Sequence, residues 1–329
     1  MDGLGIDLGT ANTVICHAQD GVIINEPSMM AFRAKGRRTK LLVAGREARA
    51  LVGRTPGGLT VVRPLEDGVV TDLEVARRFL LAMLRRVAGH WWERRRLSVV
   101  MGVPVGSTTL DRRALLEVAE EAGVGKAVLI PEPVAGAMGC GFDPLEPRTR
   151  MVVDVGGGTS EVAAFSFGGL LAYRSCPVAG DEMTLAVYQH LREEHQLVVG
   201  ELVAEGAKIA ASAEESPSLV VQGRDAASGR ARLVSLAVEE VVEAIKPVTE
   251  SIIQTLAACL EDLPAQSMTD VMADGVLTIG GGSLLLGFDK LLEDAFGFSV
   301  RLAEQPMTCV AQGAALCLSR PEVLVHYAT

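Results

Sequence analysis

Aromatic residues are scarce in this chain, only 4% of 329 residues, and two of them are tryptophans. Hydrophobic residues still make up 49%, so the core must be built mostly from Val, Leu, Ala, Ile and Met. That balance suits an α/β protein with buried parallel strands. The length allows two domains with well-buried cores. No Cys-x-x-Cys pair occurs among Cys16, Cys140, Cys176, Cys259, Cys309 and Cys317. Thiols scattered in this way read as reduced and mostly buried in a cytosolic protein, not as a disulfide framework or metal site. The five histidines never take the HExxH spacing. No apolar run is long enough to span a bilayer. Met1-Asp2-Gly3 leads straight into strand-like residues, with no signal-peptide pattern. An excess of positive charge is missing too. The formal net charge of −10 argues against broad, non-specific nucleic-acid binding, though not against a local basic patch. Low-complexity segments and repeats of solenoid period are absent.

One short phrase occurs twice: Ile6-Asp7-Leu8-Gly9-Thr10, and Val153-Asp154-Val155-Gly156-Gly157-Gly158-Thr159. Each copy follows strand-like residues and places Asp at the strand end, then glycine, then a hydroxyl. The pair divides the chain into comparable halves. Strands are expected at 3–8, 13–18, 41–44, 97–103, 127–130, 151–155, 161–166, 170–175 and 276–279. Helices are expected at 72–88, 109–122, 134–141, 181–195, 200–213, 236–261, 283–296 and 308–319. Pro247 should kink or divide the helix over 236–261.

A phosphate-cradling loop needs backbone N–H groups aimed at oxygen and no Cβ in the way. Gly9-Thr10-Ala11-Asn12 and Gly156-Gly157-Gly158-Thr159 meet that need. Either alone is equally well a tight hairpin turn. Asp7 and Asp154 could orient a hydrated Mg²⁺ from opposite walls of a cleft, or each could simply cap its own turn. A third glycine run, Gly280-Gly281-Gly282-Ser283, follows a strand and opens a helix, without the P-loop or dinucleotide pattern. Prolines on both sides stiffen the setting of Glu132, which could orient a water or be a solvated loop charge.

This set resembles the actin, sugar-kinase and Hsp70 ATPase superfamily. More closely, the chain resembles the MreB family of bacterial actins. The matching segments are Ile6–Thr13, Asn25–Ser28, Gly53–Gly57, Arg63–Val69, Val103–Gly106, Glu132-Pro133, Met151–Val162, Gly180-Asp181, Ile279–Leu285 and Thr308–Ala311. The resemblance implies an α/β actin-like fold of two duplicated RNase H-like domains, each with an added subdomain. Domain I would span 1–147, with its small subdomain at about 30–75. Domain II would span 148–329, with its small subdomain at about 182–250. ATP or ADP with Mg²⁺ would lie between the domains. Thr10, Ala11 and Asn12 would contact the β- and γ-phosphates, opposed by Gly157, Gly158 and Thr159. Asp7 and Asp154 would hold Mg²⁺ through water. Glu132 and Thr159 would position the attacking water. Gly180 and Asp181 would approach the ribose. Glu205 and Lys208 would flank the nucleoside, with Gly281, Gly282, Ser283 and Leu284 beneath the adenine. The resemblance further implies filaments of the chain itself at the inner face of the cytoplasmic membrane, cell-wall elongation or adaptor partners, and no nucleic acid.

Three features depart from the family pattern. Glu205-Gly206-Ala207-Lys208 lacks an arginine that could stack on adenine. Pro131 replaces an acid before Glu132. An N-terminal amphipathic extension is missing. A basic island at 85–96 holds both tryptophans, Trp91 and Trp92, with five arginines against one glutamate. It could serve as a membrane contact in place of that extension, or the rings could pack into a groove. Other classes remain: a small-molecule kinase, an Hsp70-like chaperone ATPase, a scaffold with little turnover, or a filament positioning an organelle or plasmid. No acceptor-base motif favours the kinase, and the chain is short for the chaperone.

Overall fold

The computed structural model describes residues 3–35, 38–213 and 217–329. Met1-Asp2, read above as leading into the first strand, lies outside them, as do small parts of both expected small subdomains.

Two five-stranded sheets carry the structure. The first runs Lys126–Pro131, Ser98–Val103, Gly3–Leu8, Asn12–His17, Gly21–Pro27. The second runs Gly169–Cys176, Ser160–Ser166, Arg150–Val155, Val276–Ile279, Val300–Leu302. Each begins as an antiparallel three-strand meander, then adds two parallel strands beside its first. The topology is the same in both, which is the duplication the doubled phrase suggested. Equivalent register places Asp7 opposite Val14 and Asp154 opposite Glu161. Smaller sheets are inserted: Arg38–Ala44 with Met30–Lys35 and Leu59–Val62 in the first half, and Leu197–Val198 with Ser218–Asp225 and Ala231–Ala237 in the second.

Each sheet has its own aliphatic core, and a third core joins them. That third cluster packs Val100 and Ile130 of the first sheet with Val152 and Ile279 of the second, around helices Glu132–Gly139 and Cys309–Cys317. These two helices touch backbone to backbone. A Cβ on Gly313 would lie 1.7 Å from the carbonyl oxygen of Ala135, so only glycine permits the crossing.

Several elements differ from the sequence expectation. Pro247 does not divide its helix, which runs unbroken over Val238–Glu261. The proline lies on the exposed face, where water can satisfy the freed carbonyl. Buried Val241, Ile245, Val248, Ile252 and Leu256 hold the other face to the core. The helix expected over 283–296 is two pieces, a short turn at Gly281–Leu284 and a helix at Phe288–Phe296. Gly287 separates them at φ 74°, in the left-handed region. Helices Ala265–Asp274 and Pro321–Tyr327 were not anticipated.

Candidate functional site

Each strand end carrying an Asp runs into a tight loop, and the two loops close in the same way. The Gly9 N–H donates to the carbonyl of Asn12 at 3.1 Å, and the Gly156 N–H to that of Thr159 at 2.9 Å. The loops face each other closely enough that a Cβ on Gly157 would sit 2.7 Å from that of Ala11. A turn from the first half, Asp67-Gly68, wedges against both. Its Gly68 N–H donates to Thr10 Oγ1 at 3.0 Å, and a Cβ on Gly158 would lie 2.9 Å from the Asp67 backbone.

Between them lies a cavity of about 470 Å³. Asp7, Thr10, Ala11, Asn12, Glu132 and Asp154 line it at the loop end, with Gly157, Gly158 and Thr159 opposite. Gly180, Asp181, Glu205, Lys208, Gly281, Gly282 and Leu284 continue the wall. Thus every nucleotide and metal residue expected from the sequence lines one cavity, except Ser283. That side chain is buried and donates to the carbonyl of Gly280 at 2.6 Å. Gly280 itself is at φ 82°, and a Cβ there would strike Asp154 Oδ1 and the Val155 carbonyl. Apolar Ile209, Met307 and Val310 complete the lining. Gly206, where the expected stacking arginine is missing, faces open space.

Four carboxyls gather at the loop end, and their electrostatics are unusual. Burial pushes Asp7 up to about 7. Burial, then Glu161 and Asp7, hold Asp154 well above the usual range. Glu132 is likewise raised by burial, then by Glu161, Asp7 and Asp154. Burial also lifts Glu161 to about 7, against hydrogen bonds from the N–H groups of Val105 and Gly106. Desolvation and mutual repulsion disfavour the ionised acids. A hard cation held by oxygen ligands would reverse that, so the donor set fits Mg²⁺.

The other end is organised by cations. Lys208 Nζ donates to the carbonyl of Gly180 at 2.7 Å and to Thr184 Oγ1 at 2.9 Å. Two arginines of the first half reach across the cleft mouth. Arg63 pairs with Asp181 at 2.6 Å and Glu201 at 2.7 Å, and Arg49 pairs with Glu205 at 2.5 Å. Burial raises the Asp181 carboxyl, and Arg63 offsets that only in part.

Sequence reasoning missed Glu161, Arg49 and Arg63 as parts of the site. Arg63 and Glu161 fall inside family-like segments, which was the available signal. Away from the cleft, Trp91 and Trp92 stand on a one-turn helix, Trp91–Arg94, 66% and 47% exposed. They are not packed in a groove. His90 stacks on Trp92 at 4.3 Å. Arg94 is buried and ties the loop down through the carbonyls of Ala88 and Gly89, while Arg85, Arg86, Arg95 and Arg96 are exposed.

Two matched domains with a loop-lined cleft between them define an actin-like protein. The sequence model of the MreB/Mbl protein family matches residues 1–325. The cell shape-determining protein MreB of Escherichia coli (strain K12) is 36% identical over 321 residues, covering 96% of this chain and 92% of that one. The cell shape-determining protein Mbl of Bacillus subtilis (strain 168) is 36% identical over 327 residues, covering 98% and 97%. The structure of MreB 5 of Spiroplasma citri bound to AMPPNP superposes with a TM-score of 0.90 at 29% identity, covering 98% and 97%. A MamK double helical filament, at 22% identity and a TM-score of 0.79, shares the fold. The chain belongs to the MreB/Mbl family.

Proposed function

We propose that the chain is a cytoskeletal ATPase that binds Mg-ATP in the cleft and polymerises into filaments at the membrane, where it acts in cell shape. One observation carries the reading: two loops with the same closing hydrogen bond oppose each other over a group of buried carboxyls. The Spiroplasma structures hold AMPPNP and ADP, and the E. coli and B. subtilis relatives are cell shape-determining.

Bound nucleotide would lie with its phosphates between the loops, where residues 10–12 and 157–159 line the cavity and would offer backbone N–H groups; those of Gly9 and Gly156 are spent closing the loops. Asp7 and Asp154 would hold Mg²⁺ through water, and the ion would neutralise charge on the β- and γ-phosphates. Glu132 and the Thr159 hydroxyl would orient the attacking water. Hydrolysis of this kind rests on positioning and charge compensation, because the transition state is loose. Asp181 would approach the ribose, and Gly281 to Leu284 would lie beneath the base.

No helix among the described residues is long and apolar enough to cross a membrane. Membrane contact would fall to Trp91 and Trp92, exposed on a segment that also carries exposed Arg85, Arg95 and Arg96. Such a pair suits an anionic interface, with rings at the headgroup level and guanidinium groups on lipid phosphates.

The purified protein should form filaments visible by electron microscopy with Mg-ATP and few without nucleotide. Glu132→Ala should cut phosphate release at least ~100-fold, the usual scale for a positioned acid–base group, with ATP affinity within ~3-fold. Phosphate transfer to a small acceptor with no filaments would sink the reading in favour of a kinase. Co-sedimentation with anionic liposomes should fall at least ~10-fold in the Trp91→Ala, Trp92→Ala double variant, consistent with losing two interfacial anchors. Equal binding by that variant would remove the membrane assignment alone.

A further inference from the structure

Two of the chain's five histidines converge on one glutamate outside the cleft. His190 stands on the last turn of helix Gly180–Glu193, His195 lies just past its end, and Glu240 is in the first turn of helix Val238–Glu261. Nε2 of His190 is 3.3 Å and Nε2 of His195 is 2.8 Å from the same Oε2 of Glu240. The three ligand atoms lie within 4.8 Å of one another. The rings meet edge to face. All three side chains are partly buried.

Glu240 and His195 are also held from behind. Glu240 Oε1 accepts the Ala237 N–H at 3.1 Å, which leaves Oε2 to the imidazoles. Arg232 donates to the His195 carbonyl at 3.0 Å. Gln196, the next residue, sits at φ 51°, a left-handed conformation that a non-glycine residue keeps only where its surroundings hold it. One carboxylate oxygen shared by two imidazoles is more than a simple hydrogen-bonded pair needs. Two imidazole nitrogens and one carboxylate oxygen gathered this closely are a donor set for zinc-class ions.

We propose that His190, His195 and Glu240 bind one late first-row divalent ion of the zinc class, with water completing its shell. The ion takes the Nε2 position on each ring, each ring carries its proton on Nδ1, and Glu240 stays a carboxylate. Ligands of a tetrahedral zinc ion at about 2.0–2.1 Å stand roughly 3.3–3.5 Å apart. The His190–Glu240 pair already has that spacing. The His195–Glu240 pair needs to open by about half an ångström. Magnesium is a poor competitor, because it prefers oxygen ligands and keeps its waters. The site is therefore chemically distinct from the carboxyls of the cleft. It is also mechanically joined to them. Helix Gly180–Glu193 starts at the cleft wall and ends roughly 20 Å away at this cluster, at 1.5 Å per residue. A bound ion would pin that far end to the start of the longest helix.

The test is a titration of chelator-treated, nucleotide-free full chain with Co²⁺, then Zn²⁺, in excess Mg²⁺. One equivalent of Co²⁺ should bind and develop visible d–d absorption, without the near-ultraviolet thiolate band that cysteine ligation gives. Zn²⁺ should displace it and raise the Tm. His190→Gln, His195→Gln or Glu240→Gln should each weaken binding at least ~10-fold, the scale seen for the loss of mere outer-shell partners. Circular dichroism checks that these variants fold. The proposal is overturned by absence of saturable one-to-one binding to the unaltered chain, by a thiolate band, or by undiminished affinity in the folded His190→Gln, His195→Gln double variant. The first two outcomes need no variant, so a folding failure does not protect the idea.

Discussion

The two cleft loops descend from one design and have come to do different work. In the first, side chains occupy the loop: Thr10, Ala11 and Asn12. The Thr10 hydroxyl is already engaged, accepting the Gly68 N–H. In the second, three glycines bring the backbone against Ala11 and Asp67. The Thr159 hydroxyl makes no side-chain hydrogen bond among the described residues. The strands behind them differ as well. Asp7 faces Val14 across its hairpin, whereas Asp154 faces a second acid, Glu161. The first loop is thus fixed by its own half, and the second carries the free hydroxyl and the extra acid. Duplicated geometry gives the cleft its two walls; the asymmetry is where they differ chemically.

The largest effect should come from removing the glycine fit. In Gly158→Ala the new methyl would press on the Asp67 backbone at 2.9 Å. That backbone is anchored through Gly68 to Thr10, so neither loop can yield alone. Affinity for a non-hydrolysable ATP analogue should fall about 100-fold, or about 2.7 kcal/mol. Ala11→Gly opens the opposite loop and should change affinity less than ~3-fold. Equal losses by calorimetry would break the asymmetry. The two hydroxyls sharpen it further. Thr159→Ala should slow single-turnover phosphate release about 100-fold with nearly normal binding, as loss of a group acting in the transition state does. Thr10→Ala should instead cost about 1 kcal/mol of stability for one lost hydrogen bond, with turnover of bound ATP within ~3-fold. A reversed pattern would reassign the water-positioning hydroxyl to the first half.

Much of this was legible because it is local. Asp, glycine and hydroxyl residues at fixed spacing after a strand determine a hairpin's shape wherever it occurs, so both loops and the two acids that line the cavity beside them could be read from the chain. What stayed hidden is held by partners remote in sequence. Glu161 takes its role from the Val105 N–H across the cleft. Arg63 meets Asp181 and Glu201 from the other half. His190 and His195 find Glu240 only when two helices pack. Secondary structure failed for similar reasons. Helix Ala265–Asp274 buries a single residue, Val271, so its sequence carries little periodic signal. Pro247 reads as a helix breaker because exposure of its face cannot be seen locally.

The smallest effect should come from the cleft mouth, where the halves differ in sign. The first half contributes the cations Arg49 and Arg63, and the second the acids Asp181, Glu201 and Glu205. Glu201 is more than half exposed, so its pairing is screened and weak. Asp181 is more sheltered, and it is the acid expected to approach the ribose. Arg63 therefore both neutralises that acid and ties the two halves together across the cleft mouth. Arg63→Ala should leave phosphate release from bound ATP unchanged and speed nucleotide dissociation about threefold, the scale of a pair contributing under 1 kcal/mol. Raising the salt should shrink the difference between variant and unaltered chain, because screening weakens the same contact. Stopped-flow displacement of a fluorescent ATP analogue measures both. If Arg63→Ala instead slowed dissociation, the pairs would be obstructing closure rather than favouring it, and the mouth would be a barrier that nucleotide binding has to open.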